Sequence, residues 1–263
     1  MSWPRRKLDG GVADQTIFSS TRYRKFVRDY FGGQPVFTAE IGYGNPAGTT
    51  GATNKMHTPQ CTYDYHIKGA GQTLLAPSWD AASGLLFGLD LTDNEGVEIS
   101  AGIGLLDLGS FTIGTDRGFY AKTQIKIADV SGTDEFLFGF RKNQAYQTAH
   151  TSYTDYAALG ITTAAATADI IQKTRLNSGT AGTVDTTLNW ADTETHTLEV
   201  AVKDDGYVRF KVDDAEPPVS KTNFVFDTGD VVNWFLFWLY ATTTPAAVHA
   251  KYFEFGFSPR RGE

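Results

Sequence analysis

The sequence predicts an all-β protein, a two-sheet antiparallel sandwich preceded by a basic N-terminal arm and a short amphipathic helix. Three observations predict it. Residues Thr195 to Asp213 read THTLEVAVKDDGYVRFKVD, and both arms of this segment alternate with period 2. His196, Leu198, Val200 and Val202 share one parity, and Val208, Phe210 and Val212 continue it after an Asp204-Asp205-Gly206 turn. Such alternation across an Asp-Gly turn specifies a β-hairpin with one buried and one wet face. Aromatics make up 13% of the chain and 27 residues are glycine, which suits broad strands and frequent turns. Finally, about a dozen such segments follow one another with turn signals between them and no fixed repeat, which favours a sandwich over a propeller or solenoid.

The arm comes first. Residues 1–30 hold seven basic groups against three acidic ones, a +4 segment; the other 16 of the 23 basic and 27 of the 30 acidic residues make a −11 body. A body of that sign does not attract nucleic acid through its general field. Within the arm, Tyr23, Phe26, Val27, Tyr30 and Phe31 fall on one face of a helix. Ser19 can cap this helix, Phe18 and Tyr23 can form a hydrophobic staple, and Gly32-Gly33 can end it. A helix of about three turns is marginal alone, so this face must dock on the chain's own sandwich or on a neighbouring chain. The expected organisation is an arm plus helix over 1–32 and a sandwich over 33–263.

Strands are expected at Val36–Ile41, Cys61–Ile67, Leu85–Leu91, Val97–Ile103, Phe119–Ile127, Phe136–Phe140, Ala157–Ile161, Ile170–Leu176, the hairpin, Val231–Ala241 and Val248–Phe257. The most hydrophobic of these, Val231–Ala241, is too short to cross a bilayer as a helix and reads as a buried strand. The basic start is followed by Leu8-Asp9-Gly10-Gly11 and not by an apolar stretch, so no secretory leader is expected. One cysteine, Cys61, excludes an internal disulfide and reads as a small buried residue.

The hairpin, together with the closing strand Lys251-Tyr252-Phe253-Glu254-Phe255-Gly256-Phe257, resembles the concanavalin A-like jelly roll of laminin-G-like, lectin and glucanase domains. The resemblance covers roughly Phe37–Ser258 and implies an antiparallel jelly-roll sandwich; it implies almost nothing about activity. A second resemblance, of class only, is to virion proteins of tailed bacteriophages, which often join a short arm to a β-sandwich and lack cysteines.

Catalytic arrays are missing. Glycosidases on this fold use carboxylates spaced Glu-x-Asp-x-x-Glu on one strand, and the chain has no such array. The nearest acidic group, Asp90, Asp93, Glu95 and Glu98, reads as a solvated turn beside a strand; Asp90, Asp93 or Glu95 could hold calcium. The five histidines are isolated, and neither a Gly-x-Ser-x-Gly elbow nor a phosphate loop is present. No cofactor is expected.

These observations point to a non-enzyme. The first expectation is a virion structural protein, a capsid decoration (cement) protein assembled in the host cytoplasm. It would bind the major capsid protein through Arg5, Arg6, Lys7, Arg22, Tyr23, Phe26, Val27 and Tyr30, form a homo-oligomer, and contact neither nucleic acid nor membrane. The alternative is a lectin-like carbohydrate-binding module of a phage tail or surface adhesin. Its candidate glycan-binding residues, Tyr146, Tyr153, Asp155 and Tyr156, lie in the polar, tyrosine-rich loop Gln144–Tyr156. A glycosidase acting through Glu98 is a third and lesser reading.

Overall fold

The structure is a computed structural model that describes residues 26–31, 36–39, 53–58, 60–68, 78–80, 83–87, 94–101, 109–161, 167–219, 223–241 and 247–258. Its strands, numbered in chain order, are β1 (Phe26–Asp29), β2 (Val36–Ala39), β3 (Thr53–His57), β4 (Thr62–Lys68), β5 (Ser78–Asp80), β6 (Gly84–Leu86), β7 (Gly96–Ala101), β8 (Ser110–Thr112) and β9 (Phe119–Ile127), followed by β10 (Thr133–Lys142), β11 (Tyr156–Ile161), β12 (Thr167–Arg175), β13 (Gly182–Ala191), β14 (Thr195–Val202), β15 (Val208–Val212), β16 (Val231–Tyr240) and β17 (Val248–Phe257). They form two antiparallel sheets. The seven-stranded sheet runs β15-β14-β9-β17-β6-β5, with β1 also paired to β17. The ten-stranded sheet runs β13-β12-β11-β10-β16-β7-β4-β3-β2, with β8 also paired to β16.

Period-2 patterning explains the layering. In β9, Phe119, Ala121, Thr123, Ile125 and Ile127 are buried while Tyr120, Lys122, Gln124 and Lys126 face outward. Leu198, Val200 and Val202 of β14 continue the buried side in register. From the other sheet, Phe136, Phe138 and Phe140 of β10 and Trp234, Leu236 and Trp238 of β16 meet them in one continuous core. Each fully buried side chain of this size contributes about 1.5–3 kcal/mol, so the inner faces dominate the stability. The expected hairpin is β14–β15: Lys203 accepts from Gly206 N–H at 3.0 Å and donates to Tyr207 carbonyl at 2.9 Å. Gly206 takes φ +85° where an added Cβ would lie 2.4 Å from the Phe226 carbonyl.

The N-terminal helix is corrected where the structure describes it. Phe26–Asp29 is a strand, paired from Phe26↔Gly256 to Asp29↔Phe253. The alternation that wins is period 2: Val27 and Phe31 are buried and Arg28 and Tyr30 are exposed. Antiparallel pairing to β17 supplies backbone partners that a short isolated helix lacks. Asp29 is buried too; its carboxylate accepts from the Tyr63 hydroxyl at 3.2 Å and from Phe31 N–H at 3.1 Å. The sandwich therefore begins before residue 33. Residues 1–25, with Arg5, Arg6, Lys7, Arg22 and Tyr23, lie outside the described residues.

A charge ladder crosses the outer face of the seven-stranded sheet. Arg28, Glu254, Lys122, Glu199 and Lys211 stand side by side on β1, β17, β9, β14 and β15. Arg28 pairs with Glu254, and Lys211 with Glu199 at 2.7 Å; Lys122 lies 3.8 Å from Glu199 and pairs with Asp214. Alternating signs across neighbouring strands favour this register over a slipped one.

Candidate functional site

The outer face of the ten-stranded sheet is polar in its middle, and the connection between β10 and β11 folds back over it. Register places His66 beside Glu98 and Asp64 beside Ser100 on β4 and β7; Arg141 of β10 stands beside Asn233 of β16. Glu98 and Arg141 are both buried, and Arg141 Nε and Nη2 reach the same Glu98 oxygen at 2.9 and 2.8 Å. The Tyr153 hydroxyl donates to the other Glu98 oxygen at 2.7 Å and accepts from Gln147 N–H at 3.0 Å. The Arg141 guanidinium lies 4.4 Å from the Tyr153 ring centre. Tyr146 stacks on His66 at 4.4 Å with the rings 7° apart.

Burial pushes the Glu98 carboxyl upward, against the pull of Arg141 and Tyr153. Burial lowers His66 to about 4, with Arg141 and Lys55 assisting and Asp64 opposing. Burial also pushes the Cys61 thiol up to about 12, although its side chain is half-buried and not fully buried as expected. This face holds a buried carboxyl–guanidinium pair, Glu98 and Arg141, sealed beneath the loop.

The candidate glycan residues are therefore placed differently from the expectation. Tyr153, Asp155 and Tyr156 are all fully buried, and Tyr146 is half-buried against His66. Tyr153 and Tyr156 present no free ring for sugar stacking, and one face of Tyr146 is covered by His66; all three anchor the loop. Tyr153 ties it to Glu98, while Tyr156 packs with Leu137, Phe235 and Phe237 on the outer apolar patch.

Asp155 has a second role. It lies at an open depression lined also by Lys142, Asn143, Gln144, Thr154, Asn177 and Ser178, with its own carboxylate buried and held by protein donors. Gln144 Oε1 accepts from both Thr154 N–H and the Thr154 hydroxyl at 3.0 Å. Asp155 Oδ1 accepts from Asn177 N–H at 2.6 Å, and Asn177 Nδ2 donates to Asp227 at 2.7 Å. Lys142 pairs with Asp230 at 2.5 Å and lies 3.7 Å from Asp155.

The rim is the β12–β13 turn, where Asn177 and Ser178 both have positive φ, 51° and 58°. Two successive left-handed residues make the tight turn that suits a twisted hairpin, yet serine pays a conformational cost there that glycine would avoid. Arg175 holds the turn by donating to the carbonyls of Gly179 at 2.9 Å and Ser178 at 3.0 Å. Sequence reasoning found the loop but missed Asn177, Ser178 and Lys142. The Leu176-Asn177-Ser178-Gly179 run was a legible turn signal; its neighbourhood to Asp155 was not.

Other expected sites stand as follows. Val27 is committed to the core and is not available to a partner protein. Phe26 lies in β1 and Tyr30 is 59% exposed just after it. Asp90 and Asp93 lie outside the described residues, and Glu95 is half-buried. Among the described residues, no group of three or more His, Cys, Asp or Glu side chains is arranged to hold a metal ion. His196 has the inward parity expected of it, with Nδ1 2.7 Å from Asp213 and its ring 4.7 Å from that of Trp190.

No protein-family model matches the chain, and no curated protein matches it. Solved structures do. The carbohydrate recognition domain of Emp47p is similar at 11% identity and a TM-score of 0.51, over 91% of this chain and 97% of that one. The carbohydrate recognition domain of Emp46p is similar at 6% identity and a TM-score of 0.51, over 74% and 87%. An endo-1,3-beta-glucanase from Streptomyces sioyaensis is similar at 12% identity and a TM-score of 0.46, over 88% and 95%. The chain shares the fold of these carbohydrate recognition domains, a two-sheet jelly-roll sandwich of the kind that its hairpin and closing strand resembled. At these identities the likeness speaks to fold alone.

Proposed function

We propose that this chain is a non-catalytic, lectin-like carbohydrate-binding module, and that the depression at Gln144, Thr154, Asp155, Asn177 and Ser178 is its binding site. The observation that carries the reading is the lining of that depression: amides, hydroxyls and an ammonium group, held from beneath by the buried Asp155 carboxylate, on a strained turn at the loop end of a sandwich. Sugar hydroxyls both donate and accept, so a mixed set of fixed donors and acceptors suits them. Strain at a ligand-lining turn is the kind of outlier that marks functional sites. Lys142 is outnumbered by Asp155, Asp227 and Asp230, so the ligand of this site is a neutral, hydroxyl-rich glycan. The carbohydrate recognition domains of similar fold support the same class of function.

A binding role also fits the sealed carboxyl–guanidinium pair. Glu98 is buried under Tyr153 and paired with Arg141, a geometry that stabilises a loop and offers no reacting atom to a substrate. The reading as a capsid decoration protein loses part of its basis, because Phe26–Asp29 pairs with the chain's own last strand. Screening on a glycan array tests the proposal. Neutral glycans should bind, and Asn177→Ala should weaken binding about three- to tenfold, the cost of one hydrogen bond. Binding of no glycan, or binding indifferent to Asn177 and Gln144, would overturn it.

A further inference from the structure

The outer face of the seven-stranded sheet, on the opposite side of the sandwich from the depression, carries a second polar and aromatic constellation. Tyr30 is 59% exposed, well above the other large apolar side chains left on the surface among the described residues. Its ring lies 5.5 Å from that of Tyr252, with Arg28 5.8 Å from its centre. Tyr252 stands beside Gln124 on β9, which stands beside Thr197 on β14; Gln124 Nε2 donates to the Thr197 hydroxyl at 3.3 Å. This row runs parallel to the charge ladder, one outward position further along the strands.

A β-bulge sits at the same place. The pairing of β17 with β9 slips between Ala250 and Tyr252, so Lys251 is an extra residue beside Tyr252. Lys251 is exposed and Tyr252 half-buried. Bulges re-aim side chains and are built features rather than defects. Here Gly84 makes room for the bulge: at φ +93° an added Cβ would lie 2.5 Å from the Ala250 carbonyl and 3.2 Å from Lys251 Cα. Lys126 is the next outward residue along β9 from Gln124, about 7 Å away, and it is exposed too. Among the described residues, no acidic side chain pairs with Lys126 or Lys251, whereas the basic side chains of the ladder are matched by Glu254, Glu199 and Asp214.

We propose that Tyr30, Tyr252, Gln124, Lys251 and Lys126 form a second saccharide-binding surface, selective for anionic glycans bearing carboxylate or sulfate groups. The exposed Tyr30 ring, tilted against the half-buried Tyr252, offers an apolar face to a sugar ring, Gln124 offers an amide, and the two lysines supply positive charge that no described acidic side chain matches. The chain as a whole is acidic at −7, but at physiological salt charges more than about 8 Å away are largely screened. The local lysines therefore decide the sign that a bound ligand meets. The preference is opposite to that of the depression, so the two sites are separable by ligand.

Calorimetric titration of the full chain with an oligogalacturonate, a heparin-derived hexasaccharide and a neutral oligoglucoside tests the proposal. At least one acidic saccharide should bind, with affinity that falls as salt is raised, and the two arms identify which anion is preferred. The double substitution Lys126→Ala/Lys251→Ala should weaken that binding about fivefold or more. Tyr30→Ala should weaken it as well, with circular dichroism unchanged because Tyr30 is outside the core. Asn177→Ala should leave it unaltered, which separates this claim from the one made for the depression. Binding of neither acidic saccharide up to millimolar ligand would overturn the proposal. So would binding indifferent to the lysine and Tyr30 substitutions, or capture by anionic phospholipid vesicles with no binding of either acidic saccharide.

Discussion

Ser178 and Glu98 show how single residues divide between binding and stability. Ser178 sits at φ 58° on the rim of the depression, where a Cβ costs energy that glycine would not. Ser178→Gly is expected to raise unfolding stability by about 0.5–1 kcal/mol, measured by urea denaturation, and to weaken glycan binding at this rim. Glu98 is the opposite case. Replacing it with Gln strands the buried Arg141 guanidinium and should cost about 3–5 kcal/mol. The double variant Glu98→Leu/Arg141→Met should cost much less than the two single changes added, which a double-mutant cycle measures. His66 adds a pH signature. Its folded value is lowered to about 4 from an ordinary 6.5, so the unfolded chain takes up the proton first. This contribution to stability is intact above pH 6.5 and is lost as pH falls toward 4, on the order of 3 kcal/mol in total. The slope between those values should flatten in His66→Phe; an identical slope would show that burial of this imidazole is not its source.

At the scale of elements, β1 and the β10–β11 connection carry the account. Val27 and Phe31 are buried and Arg28 closes the charge ladder, so truncation before residue 26 and truncation after residue 31 should differ. The longer deletion should lose about 3–5 kcal/mol more, from two buried side chains and one strand's pairing, read as a lower denaturation midpoint. The β10–β11 connection is held by Tyr153 on Glu98 and by Tyr146 on His66. Much of this was legible: the hairpin, β4, β7, β9, β10, β16 and β17 all announced themselves by alternation or by apolar runs. β1 did not, because Tyr23, Phe26, Val27, Tyr30 and Phe31 satisfy a helical period, and only pairing to β17 favours the strand. β13 was missed for another reason. It is an edge strand, mostly exposed, with a register shift against β12 and Thr187 at φ 63°, so it lacks an apolar face to betray it. The loop's tyrosines looked like recognition residues because composition cannot tell a ring facing solvent from one facing a buried carboxylate.

The whole molecule is a sandwich whose two outer faces differ. One is a ten-stranded sheet sealed by a loop and ending in a depression with acidic surroundings; the other is a seven-stranded sheet bearing a charge ladder and an exposed tyrosine. The fold was legible because a continuous core requires strict alternation over many strands. The site was not, because Asp155 and Asn177 come from different connections that only the folded sheet brings within 2.6 Å. The most direct test of the binding account is a two-dimensional NMR titration of the full chain with the neutral glycan that an array selects. The account predicts saturable shifts of the Asn143, Gln144, Thr154, Asn177 and Ser178 amides, with those of the β14–β15 hairpin unmoved. Shifts confined to another surface, or none up to millimolar ligand, would contradict it.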